Sequence, residues 1–453
     1  MRMELKKVTD PISFLEKKIS GLSIDHYEIY LVESQHLSLQ SKENALESSE
    51  DGRERGVAIR LFKKGRVAFA CSSDFDPKFL EQSLKHAYES LALLSVEEPF
   101  SLPFLVSSNI PFVATPLSQT PLAQKMEIVL NLERAARAYD RRIQRVRDVR
   151  YSEENKHVIL KNSEGFMRDA RQSRYELSMM AVAEEAGSQE MAWDNGFALC
   201  FENLCPEDIG QRVAEKAVSQ LHAAPIKTQK TPVVLDALVS ASLLSVLASS
   251  FFGDQVQKNR SLLKDKLGKT IYSEKISLVD DGNLATPLGL GSGYGNFPFD
   301  DEGVDSLRNV LVERGTIRQF LYDSHSAAQA GKKSTGNAVR PHYKEAPRIG
   351  ARNFFIEPGK AELKDMILEM GCGFWVRDVI GLHTADPVSG DFSLGATGIW
   401  IDGSQRQPVR GVTLSGNLHD IFKKVDKVGS EVWFQHSYGA PPLLIQSMDI
   451  GGL

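Results

Sequence analysis

The sequence predicts an α+β protein: an N-terminal α/β domain with an antiparallel sheet, and a C-terminal β-rich domain that is sandwich-like or barrel-like. Three observations support this prediction. Helical and strand-like apolar patterns alternate through the first half in the order α-β-β-β-α-α-β-β-β-α. A polar segment with two prolines, residues 223–232, separates the halves. From Ile276 onward, glycine turns are dense and strand patterns dominate. We therefore expect the helices of the first half on one side of its sheet.

The strands of the first half are predicted from apolar runs and the turns that separate them. Tyr27–Val32 reads Y-E-I-Y-L-V, which is typical of a strand. Val57–Phe69 contains two strand-like runs joined by Lys63-Lys64-Gly65, a hairpin signal in which Gly65 can adopt positive φ. A second turn is predicted at residues 162–165, between strands that continue to residue 184.

The helices of the first half each show one apolar stripe. They are predicted near residues 12–19, 77–94, 121–138 and 206–222. Pro121 suits the first turn of its helix, where its fixed φ and missing N–H are tolerated. Residues 97–120 carry Pro, Ser and Thr and predict an extended loop.

The shift in composition at residues 223–232 predicts two domains, residues 1–225 and 226–453. The C-terminal domain begins with a short strand and a helix over residues 236–252, which Asp236 can cap. That helix is apolar or small nearly all round, and this pattern predicts a buried helix.

Composition excludes several classes of protein. The chain has 453 residues with a net charge of −5, which argues against a nucleic-acid-binding surface as its main function. Four cysteines are too few for a disulfide scaffold, and we expect plain thiols in a reducing compartment. The N-terminus lacks the apolar stretch of a signal peptide, and no run approaches the length of a membrane span. We expect a cytoplasmic protein.

The most specific segment is Gly381–Ala396, followed by Gly398-Ile399-Trp400-Ile401-Asp402-Gly403. It predicts a polar turn, a strand, a turn at Asp402-Gly403 and a returning strand. Its candidate groove residues are His383, Asp386, Ser389, Gly390, Asp391 and Phe392. These residues either satisfy the backbone of the turn or line a groove that holds an extended peptide by backbone pairing.

The segment and its flanks closely resemble the TldD/PmbA family, once called modulators of DNA gyrase and now viewed as a peptidase system. Gly56–Arg60 and Gly65–Ala70 resemble the early hairpin of the family, so the resemblance extends over essentially the whole chain. In the TldD branch, the resemblance implies an H-E-x-x-x-H motif on the first helix of the second domain. A cysteine near the C-terminus completes that metal site.

This chain departs from the TldD pattern at the metal motif. Leu244, Ser245 and Ser249 occupy the positions of the motif residues, and residues 430–441 contain no cysteine. His436 is one candidate ligand without partners. Leucine cannot ligate zinc, and neutral serine is a poor ligand beside imidazole. The chain therefore resembles the PmbA/TldE branch, which lacks the metal site.

This resemblance implies a non-catalytic subunit of a heteromeric metallopeptidase that processes or degrades small or unfolded peptides. It implies no cofactor and no catalytic or metal-binding residues in this chain. The zinc is expected in a TldD-like subunit that forms a heterodimer with it, and a homodimer is expected in isolation. We expect no membrane association and no nucleic acid as partner.

Two alternatives remain open at this point. The chain could be a hydrolase or peptidase in its own right, using Ser261-Leu262-Leu263-Lys264 or a metal site from His325, His342 and His383. It could also bind gyrase, as the old family name suggests, although its acidic net charge weighs against DNA as a ligand.

Overall fold

The computed structural model describes residues 10–96, 120–284, 288–289, 291 and 293–453. The loop predicted over residues 97–120 lies, except for Thr120, outside the described residues. The α-helices of the described chain are α1 (Pro11–Ile19), α2 (Pro77–Ser90), α3 (Leu122–Tyr139), α4 (Pro206–Ser219), α5 (Ala237–Leu247), α6 (Gly253–Gln257), α7 (Ser324–Gln329), α8 (Leu363–Met370) and α9 (Leu418–Lys423).

The strands divide between the two halves of the chain. Those of the first half are β1 (His26–Lys42), β2 (Ala45–Lys63), β3 (Arg66–Ser72), β4 (Ile143–Asn162), β5 (Met167–Glu185) and β6 (Ser188–Ala198). Those of the second half are β7 (Gln229–Leu235), β8 (Leu278–Asp281), β9 (Arg308–Glu313), β10 (Thr316–Ile317), β11 (Ala338–Val339), β12 (Arg348–Ile349), β13 (Phe354–Ile356), β14 (Cys372–Ile380), β15 (Asp391–Asp402), β16 (Gln405–Asn417), β17 (Val425–Val428), β18 (Trp433–Gln435), β19 (Tyr438–Ala440) and β20 (Leu443–Gly451).

The first half forms one antiparallel sheet with the strand order β3-β2-β1-β4-β5-β6. Its helices and strands follow one another in the order that the sequence predicted. Side chains alternate between the two faces because the strand repeat is two residues. Ile29 and Leu31 pack with α1 and α2 on one face. Tyr30 and Val32 point to the other face, where Phe297 of the second half packs. The sheet therefore has helices on one side, as predicted, and the second half on the other.

Two strands of this sheet are longer than the sequence indicated. β1 and β2 continue beyond their apolar parts into a polar hairpin, whose turn residues Glu43 and Asn44 both have positive φ. Residues 45–51 of β2 are all exposed to solvent. Without a buried face there is no apolar alternation, and periodicity could not reveal this extension.

The second half contains a closed five-stranded barrel. Its strands follow the order β16-β15-β14-β7-β20, and pairing of β16 with β20 closes the ring. A second sheet has the order β10-β9-β8-β13-β19-β18. One buried apolar cluster joins the barrel, α5 and this sheet. The second half is therefore β-rich and barrel-like, as the sequence predicted.

The helix predicted over residues 236–252 changes type along its length. Asp236 Oδ1 accepts a hydrogen bond from Ala237 N at 2.7 Å and caps α5. Burial raises the pKa of Asp236. The α-helix ends at Leu247, and residues 248–251 continue as a tighter 3-10 turn. The strand before it, β7, begins at Gln229, inside the polar segment that the composition had suggested as a linker.

A buried ion network connects the two halves. Arg60 donates to Glu28 Oε1 at 2.9 Å and to Glu302 Oε1 at 3.1 Å, and Arg340 also donates to Glu28. Glu28 and Arg340 belong to different halves, and the side chain of each is 1% exposed. The contact between the halves therefore includes charges that are almost completely removed from water.

The buried carboxyl of Asp280 makes stability depend on pH. It accepts hydrogen bonds from Asn337 Nδ2 at 2.7 Å and Arg352 N at 2.8 Å, and burial raises its pKa to about 6. In the unfolded chain an aspartate has a pKa near 3.9, so between these values the folded state binds more protons. The contribution of Asp280 to the free energy of unfolding therefore falls as the pH rises from about 4 to about 6.

We expect Asp280→Asn to remove that part of the pH dependence. As the pH rises from 4 to 7, the difference in the free energy of unfolding between variant and wild type should shift in favour of the variant by on the order of 2 kcal/mol. Denaturant unfolding at both pH values measures the change. The exposed Asp402→Asn serves as the control, because it removes a carboxylate without burial. If the free energy of unfolding changed equally with pH in the wild type and in Asp280→Asn, the role assigned to Asp280 would be contradicted.

Candidate functional site

Four distant segments of the chain meet at one open cleft of ≈ 850 Å³. They are the stretch from the end of α5 to residue 260, residues 339–351 around β11 and β12, residues 382–388, and the β18–β19 hairpin. We call this the central cleft. Two of these segments contain the positions that the family resemblance had singled out, near residue 245 and near residue 436. The fold therefore brings together features that lie far apart in the sequence.

Of the three positions of the metal motif, two line the central cleft. Ser245 and Ser249 lie one helical turn apart and both line it. The Ser245 hydroxyl donates to Ser242 O at 2.7 Å, inside the helix. Leu244 is fully buried in the apolar cluster of the second half. Adjacent helical residues point in directions about 100° apart, and Leu244 therefore faces the core while Ser245 faces the cleft.

The β18–β19 hairpin forms the opposite wall. Gln435 pairs with Tyr438, and His436 and Ser437 make the two-residue turn. His436 has a φ of 53°, a conformation that costs energy for a residue with a side chain. Gln435 Oε1 accepts a hydrogen bond from Ser242 Oγ at 2.9 Å, which ties the hairpin to α5. The hairpin is thus held in place at the cleft.

Metal ligands do not cluster in the part of the chain that the structure describes: it contains no group of three His, Cys, Asp or Glu side chains suited to hold an ion. His342 contacts Glu54 Oε1 at 2.7 Å, His325 contacts Gln329, and His383 is exposed. The three histidines do not converge.

The candidate serine–lysine pair is also not assembled. Ser261 Oγ donates to the backbone oxygen of Ser250 at 2.6 Å, and Lys264 Nζ donates to Asn259 instead. A lysine that activates a serine must lie within hydrogen-bond reach of its hydroxyl. These two side chains engage different partners.

The predicted groove residues mainly stabilise the loop beside the cleft. Asp386 accepts hydrogen bonds from Val388 N at 2.7 Å and Ser389 N at 3.3 Å, which lower the pKa of its carboxyl. Asp391 Oδ1 accepts from Asn417 Nδ2 at 2.7 Å. Gly390 has a φ of 78°, a conformation that favours glycine.

None of the six predicted groove residues lines the central cleft. Phe392 is buried in the core and His383 is exposed. The wall is instead made by their neighbours Leu382, Pro387 and Val388. The groove residues predicted from the sequence, most of them polar, did not include these neighbours. An apolar pair, Pro387-Val388, inside an otherwise polar turn was the available signal.

A smaller cavity of ≈ 430 Å³ lies beside the central cleft, and we call it the seam cavity. It opens between β6 of the first half and the end of β14. Leu382 and Gln435 line both the seam cavity and the central cleft. Arg377, Asp378, Lys216 and Trp193 are among its other lining residues. In Asp378, burial raises the pKa of the carboxyl.

Three family models match consecutive parts of the chain. They describe the PmbA/TldA metallopeptidase domain 1, central domain and C-terminal domain, and they match residues 27–94, 115–221 and 228–452. The chain belongs to the PmbA/TldD family. The resemblance inferred from the sequence is thereby confirmed.

Relatives within this family match nearly the full length of the chain. Metalloprotease PmbA of Escherichia coli O157:H7 is 25% identical over 453 residues, which is 99% of this chain and 96% of the relative. A proposed modulator of a DNA gyrase from Thermotoga maritima MSB8 is 26% identical, with a TM-score of 0.88 over 98% of this chain and 99% of its own. TldE from Thermococcus kodakarensis has the same fold, with a TM-score of 0.86 and 24% identity over 97% of this chain and 99% of its own.

Within the described ranges, no helix is both long enough and apolar enough to cross a bilayer.

Proposed function

We propose that this chain is the non-catalytic, TldE-like subunit of a two-subunit metallopeptidase that processes or degrades small or unfolded peptides. In this proposal the central cleft forms part of the wall of the peptide chamber. A TldD-like partner supplies the zinc ion and the groups that activate water. The observation that carries the proposal is the pair Ser245 and Ser249, which lines the cleft where the family resemblance places zinc-binding residues.

The chemistry of these side chains supports a non-catalytic role. A catalytic zinc site needs three protein ligands drawn from imidazole, thiolate or carboxylate. Ser245 and Ser249 offer neutral hydroxyls, and that of Ser245 is already hydrogen-bonded within its helix. His436 supplies one imidazole on the facing hairpin. One imidazole and two hydroxyls cannot hold the ion or lower the pKa of a bound water.

The shape and lining of the central cleft suit a peptide of varied sequence. Its walls combine apolar groups, such as Pro387 and Val388, with polar groups on the hairpin, such as Gln435 and Ser437. Clefts of this size accommodate ligands larger than a single amino acid. An extended peptide can make backbone hydrogen bonds there that do not depend on its side chains.

Reconstitution tests the proposal. The chain, a TldD-like chain carrying H-E-x-x-x-H, and a mixture of the two are compared for peptide cleavage and for sedimentation. We expect a one-to-one complex and cleavage that requires both chains, and a homodimer when this chain is alone. Cleavage by this chain alone, or full activity of the partner without it, would contradict the proposal. Binding to gyrase without complex formation would favour the older interpretation of the family.

A bulky substitution in the cleft provides a sharper test. Ser249→Trp is expected to lower cleavage by the pair by roughly 10-fold to 100-fold, because an indole would displace the bound peptide. Ser404→Trp is the matched control, since Ser404 is exposed in the turn between β15 and β16. The melting temperature of both variants should stay near that of the wild type. Equal activity of the two variants would place the substrate elsewhere.

A further inference from the structure

One carboxylate of the seam cavity, that of Asp378, makes no ion pair within the described chain. Lys216 Nζ donates to Asp194 Oδ2 at 3.0 Å, and Arg377 donates to Glu215 Oε1 at 2.9 Å. Each cation of the lining thus has an ion-pair partner, although Asp194 Oδ2 also accepts from Arg212 Nε at 3.1 Å and is shared between two cations. Asp378 accepts from Val379 N at 2.8 Å and has no ion pair within the described chain. Asp378 is exposed as a residue, but groups around its carboxyl desolvate it and raise its pKa, while the charge of Lys216 acts against this shift. Because no cation of the residues that the structure describes lies within ion-pair distance, this carboxylate can accept hydrogen bonds from a ligand.

A β-bulge places this carboxylate in the cavity. β14 pairs Val376 with Gly398 and Asp378 with Thr397, which leaves Arg377 as an extra residue. In a regular strand Arg377 and Asp378 would point to opposite faces. Because of the bulge, both line the cavity. The paired arginine and the unpaired aspartate thus lie side by side.

A second hydrogen-bond acceptor lies in the same lining. Gln220 Nε2 donates to Gly398 O at 3.2 Å, which fixes the orientation of the amide because a carbonyl oxygen can only accept. Gln220 Oε1 is buried and has no partner in the described residues. A buried acceptor without a donor is costly, and a ligand donor that reached this oxygen after a small movement of the Gln220 side chain would remove that cost.

An aromatic and apolar wall completes the cavity. Trp193 and Met191 of β6 line it, and their side chains are 44% and 60% exposed. Indole faces attract cations, and thioethers pack well against alkyl chains. A ligand with a positively charged donor on a short apolar stem matches both the acceptors and this wall.

We propose that the seam cavity binds the cationic nitrogen group of a ligand, an ammonium or guanidinium, between Asp378, Gln220 and Trp193. The shared residues Leu382 and Gln435 connect the cavity with the central cleft, and a peptide in the cleft can place one residue there. The peptide origin of the ligand rests on the proposed function. The binding of a cation does not rest on it.

Three short peptides of otherwise matched sequence test this inference with the full chain and no partner. One has a free amino terminus and no basic residue, the second is N-acetylated with one lysine, and the third is N-acetylated without lysine. Calorimetry should show that at least one cationic peptide binds about tenfold more tightly than the neutral one, or better. Whichever of the two cationic peptides binds more tightly shows whether the bound cationic group is the α-ammonium of the amino terminus or the ammonium of a lysine side chain.

Variants then locate the site. Asp378→Asn keeps the contact with the backbone but removes the charge. It should lower the affinity for the tighter-binding cationic peptide about tenfold or more. Trp193→Leu, at an exposed position, should weaken it by a smaller factor. Asp402→Asn, which removes an exposed carboxylate outside the cavity, should leave affinity unchanged. Equal binding of the neutral peptide, or no effect of Asp378→Asn in a folded variant, would overturn the inference. These experiments measure binding and not cleavage. Their result can therefore be interpreted even if the proposed function is wrong.

Discussion

Glu28→Ala is expected to reduce the free energy of unfolding by about 3–5 kcal/mol, because it breaks a buried ion network by removing one partner. Glu28 accepts hydrogen bonds from both Arg60 and Arg340, whose side chains are 8% and 1% exposed. Glu302 still neutralises Arg60 in the variant, but Arg340 loses its ion pair. An uncompensated guanidinium in a buried site is strongly unfavourable.

Denaturant unfolding measures this loss, with Glu33→Ala as the matched control. Glu33 lies on the same strand but is exposed, and its ionisable neighbour is His157, with Nδ1 at 3.8 Å from Glu33 Oε2. Such a surface pair contributes about 0–1 kcal/mol. A loss for Glu28→Ala no larger than that of the control would show that water reaches the network. Glu28→Gln, which keeps an acceptor but loses the charge, should fall between the two.

The second large effect concerns metal and activity. We expect the purified chain to contain no stoichiometric zinc and to cleave no peptide. Ser245 and Ser249 are the side chains that the helix presents to the central cleft, and Leu244 lies in the core. A neutral hydroxyl or an alkyl group cannot replace imidazole or carboxylate in a catalytic zinc site.

Single substitutions should not restore the site, because one added ligand cannot hold the ion. Leu244→His, Ser245→Glu and Ser249→His would be needed together with a cysteine near Tyr438. The α-helix changes to a 3-10 turn after Leu247, so residue 244 lies in the α-helix and residue 249 in the turn. Leu244→His would also place an imidazole in the apolar core, which carries its own cost in stability.

Elemental analysis and a peptide-cleavage assay with and without a chelator measure this prediction. Ser249→His alone serves as the control for non-specific metal binding. Stoichiometric zinc in the wild-type chain, together with cleavage that a chelator abolishes, would refute the prediction and the assignment to the TldE-like branch.

Local features of the fold were predictable where a short stretch of sequence decides the backbone. Gly65 has positive φ, as the hairpin signal had indicated, and Lys64 before it adopts positive φ as well. Asp236 caps α5 at the residue where the sequence suggested a cap. The start of β1 is covered on both faces and therefore carries apolar residues on both. This apolar run made the strand recognisable in the sequence.

Elements without a local signal were missed. The polar ends of β1 and β2 have hydrogen-bond partners but little buried surface, so their sequence resembles that of a loop. The short strands β17, β18 and β19 were not resolved individually within the predicted β-rich region, and the longer β20 and the helix α8 were not predicted either. A run of three or four residues carries too little periodicity to be assigned without its neighbours.

By itself, the sequence determined the fold class, the order of elements in the first half and the family, because these depend on local periodicity and on one long specific segment. It also showed that the residues of the metal motif are absent. Tertiary structure alone decided which side chains surround the cleft. Ser249, Val388 and Gln435 are far apart in the chain and meet only because α5, the loop before β15 and the β18–β19 hairpin pack together. The same packing buried Leu244 in the core and left Asp378 at the surface of the seam cavity, since burial depends on neighbours that no local pattern contains.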